Sequence, residues 1–181
     1  MSIAPLSNKL VIPILLLLQL AAPVCGQITK SGRWELQNTD NFEKYKVVNL
    51  GSGGLILYRR LPGRDLDQLE LIKLDTALKE NWKGFVPFDP NLAILRIQQR
   101  QGKVYFLLRS RSYIGGDFRL ITIRTDNGNF GEHDIKNLIP FSPTEFLVTA
   151  TAAIIGGYFN YRPIVLHFSF TLGRSKILPG F

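Results

Sequence analysis

From about residue 44 onward, apolar residues come in short runs rather than at helical spacing. The runs cover 45–50, 55–60, 69–74, 92–97, 104–109, 118–124, 145–150, 151–155 and 164–170. They are rich in β-branched and aromatic residues and are bounded by Gly, Pro, Asn and Asp, which predicts β-strands separated by turns. Helical periodicity is confined to residues 75–81, where a turn explains the same letters equally well. The chain is therefore expected to be all-β.

The order of runs repeats. Each unit has two strands, a loop containing Gly or Pro, a third strand, a tight turn and room for a short fourth strand. The loops are 61–65, 110–116 and 156–162, and the turns are Asp75-Thr76-Ala77, Asp126-Asn127-Gly128 and Thr171-Leu172-Gly173. Asn127-Gly128 is a two-residue hairpin signal, because both residues tolerate positive φ. An eight-residue motif recurs as well. Lys83-Gly84-Phe85-Val86-Pro87-Phe88-Asp89-Pro90 returns 53 residues later as Lys136-Asn137-Leu138-Ile139-Pro140-Phe141-Ser142-Pro143. Proline fixes φ and cannot donate to a sheet ladder, so Pro-Phe-x-Pro is expected to carry the chain between units, with Phe88 and Phe141 filling the space there.

Four-stranded antiparallel units spaced by roughly 40–50 residues are the pattern of propeller blades. Over residues 40–181 the chain resembles secreted bacterial β-propeller-type repeat proteins of unassigned role. The resemblance is one of repeat architecture: the tryptophan-aspartate and kelch signatures are absent, and it implies no functional residue. The expected organisation is a lead-in at 27–41 and repeat units at 42–83, 84–136 and 137–181. Lys176-Ile177-Leu178-Pro179-Gly180-Phe181 reads as entry into a further unit. Three blades are fewer than the roughly four to eight that close a ring. A truncated frame, a partial propeller and a chain completed by a partner all fit.

Residues 1–26 stand apart. Lys9 precedes an apolar stretch from Leu10 to Ala22, broken only by Pro13 and Gln19, and Val24-Cys25-Gly26 precedes the polar Gln27. That is the layout of a secretory signal peptide, too short for a spanning helix. Export to the periplasm, cell surface or medium follows. Ala22-Pro23-Val24 matches a lipobox poorly, so lipid anchoring at Cys25 is the lesser reading. Cys25 is the one cysteine of the chain, so cleavage after Gly26 would leave neither disulfides nor thiolate ligands.

The 22 basic and 14 acidic residues give a net charge of +8. Export and the dispersal of Arg59, Arg60, Arg64, Arg96, Arg100, Lys103, Arg109, Arg111, Arg119 and Arg124 argue against a nucleic-acid surface. Many of these residues end apolar runs, where a solvated strand end accounts for them.

Candidate chemistry is sparse. His133 and His167, the only histidines, lack a nucleophile-elbow motif, and the supply of ligands is too small for zinc. Asp126, Asn127, Asn129, Glu132 and Asp134 offer oxygens, but not at EF-hand spacing. Gly51-Ser52-Gly53-Gly54 lacks the Lys-Ser/Thr and the helix of a phosphate loop. No catalytic residue, cofactor or metal is expected. The candidate ligand-contacting residues are Tyr158, Asn160, Tyr161 and Arg162, which join aromatics, an amide and a guanidinium in one loop suited to a sugar or a peptide. Packing of Tyr158 and Tyr161 between blades is the competing reading.

Taken together, the sequence predicts a secreted, non-enzymatic, propeller-like binding or scaffold module with an unidentified ligand, carbohydrate or protein. A small outer-membrane β-barrel and a fragment of a larger propeller enzyme are the alternatives.

Overall fold

The computed structural model describes residue 35, residues 43–111 and residues 116–179. The expected signal peptide, Cys25, most of the lead-in, the 112–115 segment and Gly180-Phe181 lie outside the described residues. Among the described residues, no helix is long and apolar enough to cross a membrane.

Among the described residues, twelve strands form three antiparallel sheets of four, each in sequential order. The first sheet holds β1 (Lys46–Asn49), β2 (Leu55–Leu61), β3 (Asp67–Leu74) and β4 (Glu80–Phe88). The second holds β5 (Leu92–Arg100), β6 (Lys103–Ser110), β7 (Phe118–Arg124) and β8 (Phe130–Ile135). The third holds β9 (Ser142–Val148), β10 (Ala152–Phe159), β11 (Arg162–Ser169) and β12 (Arg174–Pro179). The first strands of successive sheets, β1 with β5 and β5 with β9, approach one another. This is the arrangement of blades around an axis, so the fold is a partial, three-bladed propeller. Three separate sheets are not the single closed sheet of a membrane barrel, and that alternative is corrected here.

Alternation on β6 decides how the sheets stack. Val104, Phe106 and Leu108 pack with Ile121 and Ile123 against Ile56, Tyr58, Leu69, Leu71, Val86 and Phe88 of the first sheet. Tyr105 and Leu107 point the other way, packing with Phe118 and Leu120 against Ala153, Ile155, Leu166 and Phe168 of the third. The middle sheet is thus buried on both faces, and its second strand reads as a continuous apolar run for that reason. Phe88 and Phe141, 2% and 1% exposed, sit in the first and second of these cores respectively.

The two Pro-Phe-x-Pro copies occupy different places. Pro87 and Phe88 end β4, whereas Pro140 and Phe141 lie in the crossover before β9. Proline is tolerated at position 87 because β4 is an edge strand. The segment expected to enter a further unit is also different: Arg174–Pro179 is β12, paired with β11 from Ile164↔Pro179 to Ser169↔Arg174. Ile177 explains this, since it packs onto the core shared by the second and third sheets. Residues 75–79 form a turn, in which Asp75 Oδ1 accepts from the Ala77 and Lys79 amides.

Close backbone approach fixes two glycines. A Cβ at Gly54 (φ 88°) would lie 2.1 Å from the Leu74 carbonyl oxygen, and one at Gly157 would lie 2.1 Å from that of Ser142. From β4, Trp82 Nε1 donates to the Thr125 carbonyl in the β7–β8 turn at 3.0 Å, tying the first sheet to the second.

The outer face of the first sheet carries a buried charge. Glu70, 2% exposed, accepts from Tyr45 Oη (2.7 Å), Arg59 Nε (2.5 Å) and Lys83 Nζ (2.6 Å). Burial alone would push the Glu70 carboxyl up, but these donors outweigh it and hold the carboxyl below its ordinary value. The Tyr45 hydroxyl, desolvated and donating to that carboxylate, is pushed up to about 12. Arg59, expected at a solvated strand end, is 11% exposed.

Phe106 is fully buried and Phe130 is 45% exposed. Urea unfolding is expected to show a loss of about 4 kcal/mol for Phe106→Ala. Phe130→Ala should stay within about 0.5 kcal/mol of the parent. Equal losses would contradict the two-sided core.

Candidate functional site

The antiparallel order gives each sheet two ends. The β2–β3, β6–β7 and β10–β11 connections share one end with the crossovers β4–β5 and β8–β9. There the first and second sheets leave a cleft of about 150 Å³, beside a more open recess of about 290 Å³. Glu43, Arg60 and Arg111 line both spaces.

Arg60 organises this end. It is near the close of β2, opposite Leu69, with a side chain 15% exposed. Its Nε donates to Asp67 Oδ2, and its Nη2 donates to the Pro90 carbonyl at 2.8 Å. The guanidinium lies 5.3 Å from the Phe88 ring centroid. Asp67, 5% exposed at the start of β3, also accepts from the Gly63 amide at 3.0 Å. Burial would raise the Asp67 carboxyl, but the Gly63 amide, Arg60 and the positive charge of Arg111 hold it below its ordinary value. One arginine therefore joins strand, loop and crossover.

Tyr58 packs edge-on to Phe106, with ring centroids 5.3 Å apart, and lines the cleft. Burial and the nearby Glu43 charge both push its hydroxyl up, so it is protonated at neutral pH. Arg111 is anchored to the crossover, its Nε donating to the Leu92 carbonyl at 3.1 Å and its amide to that of Asn91 at 2.8 Å. Leu69, Phe88, Leu92 and Ile94 supply apolar walls.

The second seam repeats part of this scheme. Arg109, near the end of β6, donates from Nη1 to the Phe141 carbonyl at 3.2 Å. Asp117 takes Lys136 Nζ at 2.6 Å and the Asn137 amide at 2.9 Å. These two bonds hold the Asp117 carboxyl below its ordinary value. On the same seam His133, paired with Leu120, has its ring 5.8 Å from that of Phe168 and 5.7 Å from that of Phe170.

The residues singled out from sequence lie elsewhere. Asn160 and Tyr161 are the two-residue turn of the β10–β11 hairpin, with φ of 47° and 64°. Tyr158 ends up 54% exposed and Tyr161 fully exposed, so neither packs between blades. The expected loop is shorter than 156–162, because Phe159 pairs with Arg162. Tyr158, Asn160, Tyr161 and Arg162 form a projecting tip and line no part of the cleft.

The oxygen cluster at 126–134 is resolved into ion pairs. Asp126 holds Arg124 at 2.6 Å, and Arg119 lies 3.7 Å from Glu132 and 3.0 Å from Asp134. Among the described residues, no group of three or more His, Cys, Asp or Glu side chains is placed to hold a metal. Gly51–Gly53 forms a single 3₁₀ turn, with Asn49 Oδ1 accepting from the Gly51 amide at 2.8 Å.

No protein-family model matches this chain, and no curated protein does. Among solved structures the chain is similar to a tryptophan-to-alanine mutant of Synechocystis apocarotenoid oxygenase. The TM-score is 0.47 at 8% identity, over 68% of this chain and 34% of that one. A crystal structure of an ACO/RPE65 chimera gives a TM-score of 0.47 at 8% identity, over 68% and 34% of the two chains. The chain thus spans about a third of the length of these structures. The expectation of a secreted, non-enzymatic, propeller-like binding or scaffold module is corrected: the solved structures that the chain is similar to are those of an apocarotenoid oxygenase and of a chimera.

The Asp67 environment has a measurable consequence. A carboxyl whose folded pKa is depressed contributes stability above its unfolded value, near 3.9, and that stability is lost as pH falls through the lower folded value. Stability is therefore expected to drop below about pH 4, with Glu70 contributing in the same direction. Asp67→Asn should cost about 3 kcal/mol at pH 7 and flatten the acid limb of a stability–pH profile. An unchanged acid limb would show that Asp67 is not ionised against Arg60.

Proposed function

We propose that these three blades are part of a larger propeller enzyme. The outer face of the third sheet carries this reading. Leu147, Ile154, Val165 and Leu178 share that face with His167, as the pairings Ile154↔Leu147, Ile154↔His167 and Val165↔Leu178 require. Leu147 is 49% and Leu178 37% exposed, whereas Ala153, Ile155 and Leu166 on the opposite face are fully buried. An aliphatic strip of this kind is a packing surface, and a further blade buries it as β5–β8 buries the opposite face. The cleft between the first two sheets supports an enzymatic role for the assembled ring. It combines apolar walls with a tyrosine hydroxyl, carboxylates and guanidinium groups, the composition of a recess that binds and orients a small molecule. The N-terminal apolar stretch supports export of the chain on the same reading.

The flank is testable on this chain alone. The protein is expected to bind a hydrophobic dye and to self-associate with rising concentration in light scattering. Val165→Lys should suppress both while leaving the melting temperature near that of the parent. A dye-silent monomer indifferent to this substitution would mean that the third sheet ends in a finished surface, and the reading would fall.

A further inference from the structure

We infer that the cleft between the first and second sheets binds a small carboxylate with a flat apolar body, held by Arg111, Lys46 and the Tyr58 hydroxyl. The argument begins with which charges are already committed. Arg60 and Asp67 neutralise one another, and Arg60 also serves the Pro90 carbonyl. Their charges set the shape of the cleft and are not available to a ligand. Lys46 and Arg111 are exposed and line the same cleft, and among the described residues neither forms an ion pair. Arg111 is tethered through Nε to the Leu92 carbonyl, which leaves its terminal nitrogens as a planar donor pair. Among the described residues, Glu43 is the one opposing charge in the lining that is not held in an ion pair.

The Tyr58 hydroxyl adds a neutral donor. It has no hydrogen-bond partner among the described residues, and it stays protonated because burial and Glu43 disfavour the phenolate. Leu69, Phe88, Leu92 and Ile94 exclude a fully hydrated ion from the walls. A space of about 150 Å³ has room for several waters, which suits one ring or a short chain with its headgroup. Two cations against one carboxylate select an anion over an amine. The apolar walls select a carboxylate with a hydrocarbon body over inorganic phosphate.

This inference names the ligand class of the cleft invoked above, and it rests on the enzymatic reading only for the ligand's role. Binding is read on the three sheets themselves, so its failure leaves the flank reading untouched, and the reverse holds too. The probe is benzoate, titrated against the protein by calorimetry and by amide shifts. Saturable binding is expected, with the largest shifts at Arg111, Leu92 and Tyr58. Arg111→Gln should weaken it about tenfold or more, the loss of a charge-assisted bond. Lys46→Gln, an exposed change remote from the Leu92 tether, should weaken it as well. Glu43→Gln should tighten it by removing the opposing charge. Inorganic phosphate and benzylamine are expected to bind more weakly than benzoate. Absence of saturation, indifference to both Arg111→Gln and Lys46→Gln, or preference for phosphate or benzylamine would each overturn the inference.

Discussion

The double-sided burial of the second sheet is the constraint from which the rest follows. Strands β6 and β7 present Val104, Phe106, Leu108 and Ile121 to one neighbour and Leu107, Phe118 and Leu120 to the other. No isolated four-stranded sheet with two apolar faces is stable in water, so each unit needs its neighbours before it can hold its own strands. Stacking also sets where the first strands lie. With faces packed, β1, β5 and β9 must approach at one margin, and their separation there is governed by the wedge of side chains between sheets rather than by ladder hydrogen bonds. The blade arrangement is a packing solution before it is a topological one.

Filling the interior with apolar side chains leaves the crossovers as the places where backbone polarity must be met. A proline-containing crossover has fewer amides and as many carbonyls as any other segment, so its acceptors need side-chain donors. The chain answers twice with an arginine near the end of a second strand. Arg60 reaches the Pro90 carbonyl and Arg109 reaches that of Phe141, each also lying over a buried phenylalanine. A guanidinium suits this position because its alkyl stem packs along the seam while its fork satisfies several oxygens at the rim. The third sheet has Tyr158 at the end of its second strand, and its hairpin closes in a tight two-residue turn. Loop length and rim chemistry thus change together.

Much of the fold was legible because its signals are local. Short apolar runs bounded by turn residues marked β2, β6 and β11, and Asp126-Asn127-Gly128 marked a turn in which Gly128 has φ 74°. The fourth strands were harder to read. β4 contains Pro87 and β12 ends in Pro179, letters that argue against a strand until one knows that the strand lies at an edge. The motif repeat misled for a related reason. Its two copies share a buried phenylalanine, but the first closes a strand and the second opens a crossover. The cleft was not legible at all, since Arg60 meets Asp67 only across the β2–β3 pair and Arg111 joins them only through the stacking of the second sheet on the first. Nothing in an arginine that follows an apolar run tells whether it faces water or a carboxylate several residues along on the neighbouring strand.

The two outer faces of the stack are chemically unlike, and the difference separates them in role. On the first sheet, Leu57, Ile72 and Leu74 are at most 8% exposed, and beside them Glu70 is fully provided with donors. A buried carboxylate tolerates no loose partner, so that face is geometrically exacting and already complete in its bonding. On the third sheet the strip of Leu147, Ile154, Val165 and Leu178 lies beside the exposed Glu145 and Lys176, and among the described residues neither charge is held in an ion pair. Apolar contact is non-directional and forgiving of small shifts. A face of that kind can receive another sheet by burial alone, whereas the Glu70 face can be displaced only by breaking several charge-assisted bonds together. The first outer face is thus organised around a buried, fully bonded carboxylate, with Val47 and Phe85 left exposed at its sides, whereas the third carries its aliphatic strip with no such charge at its centre.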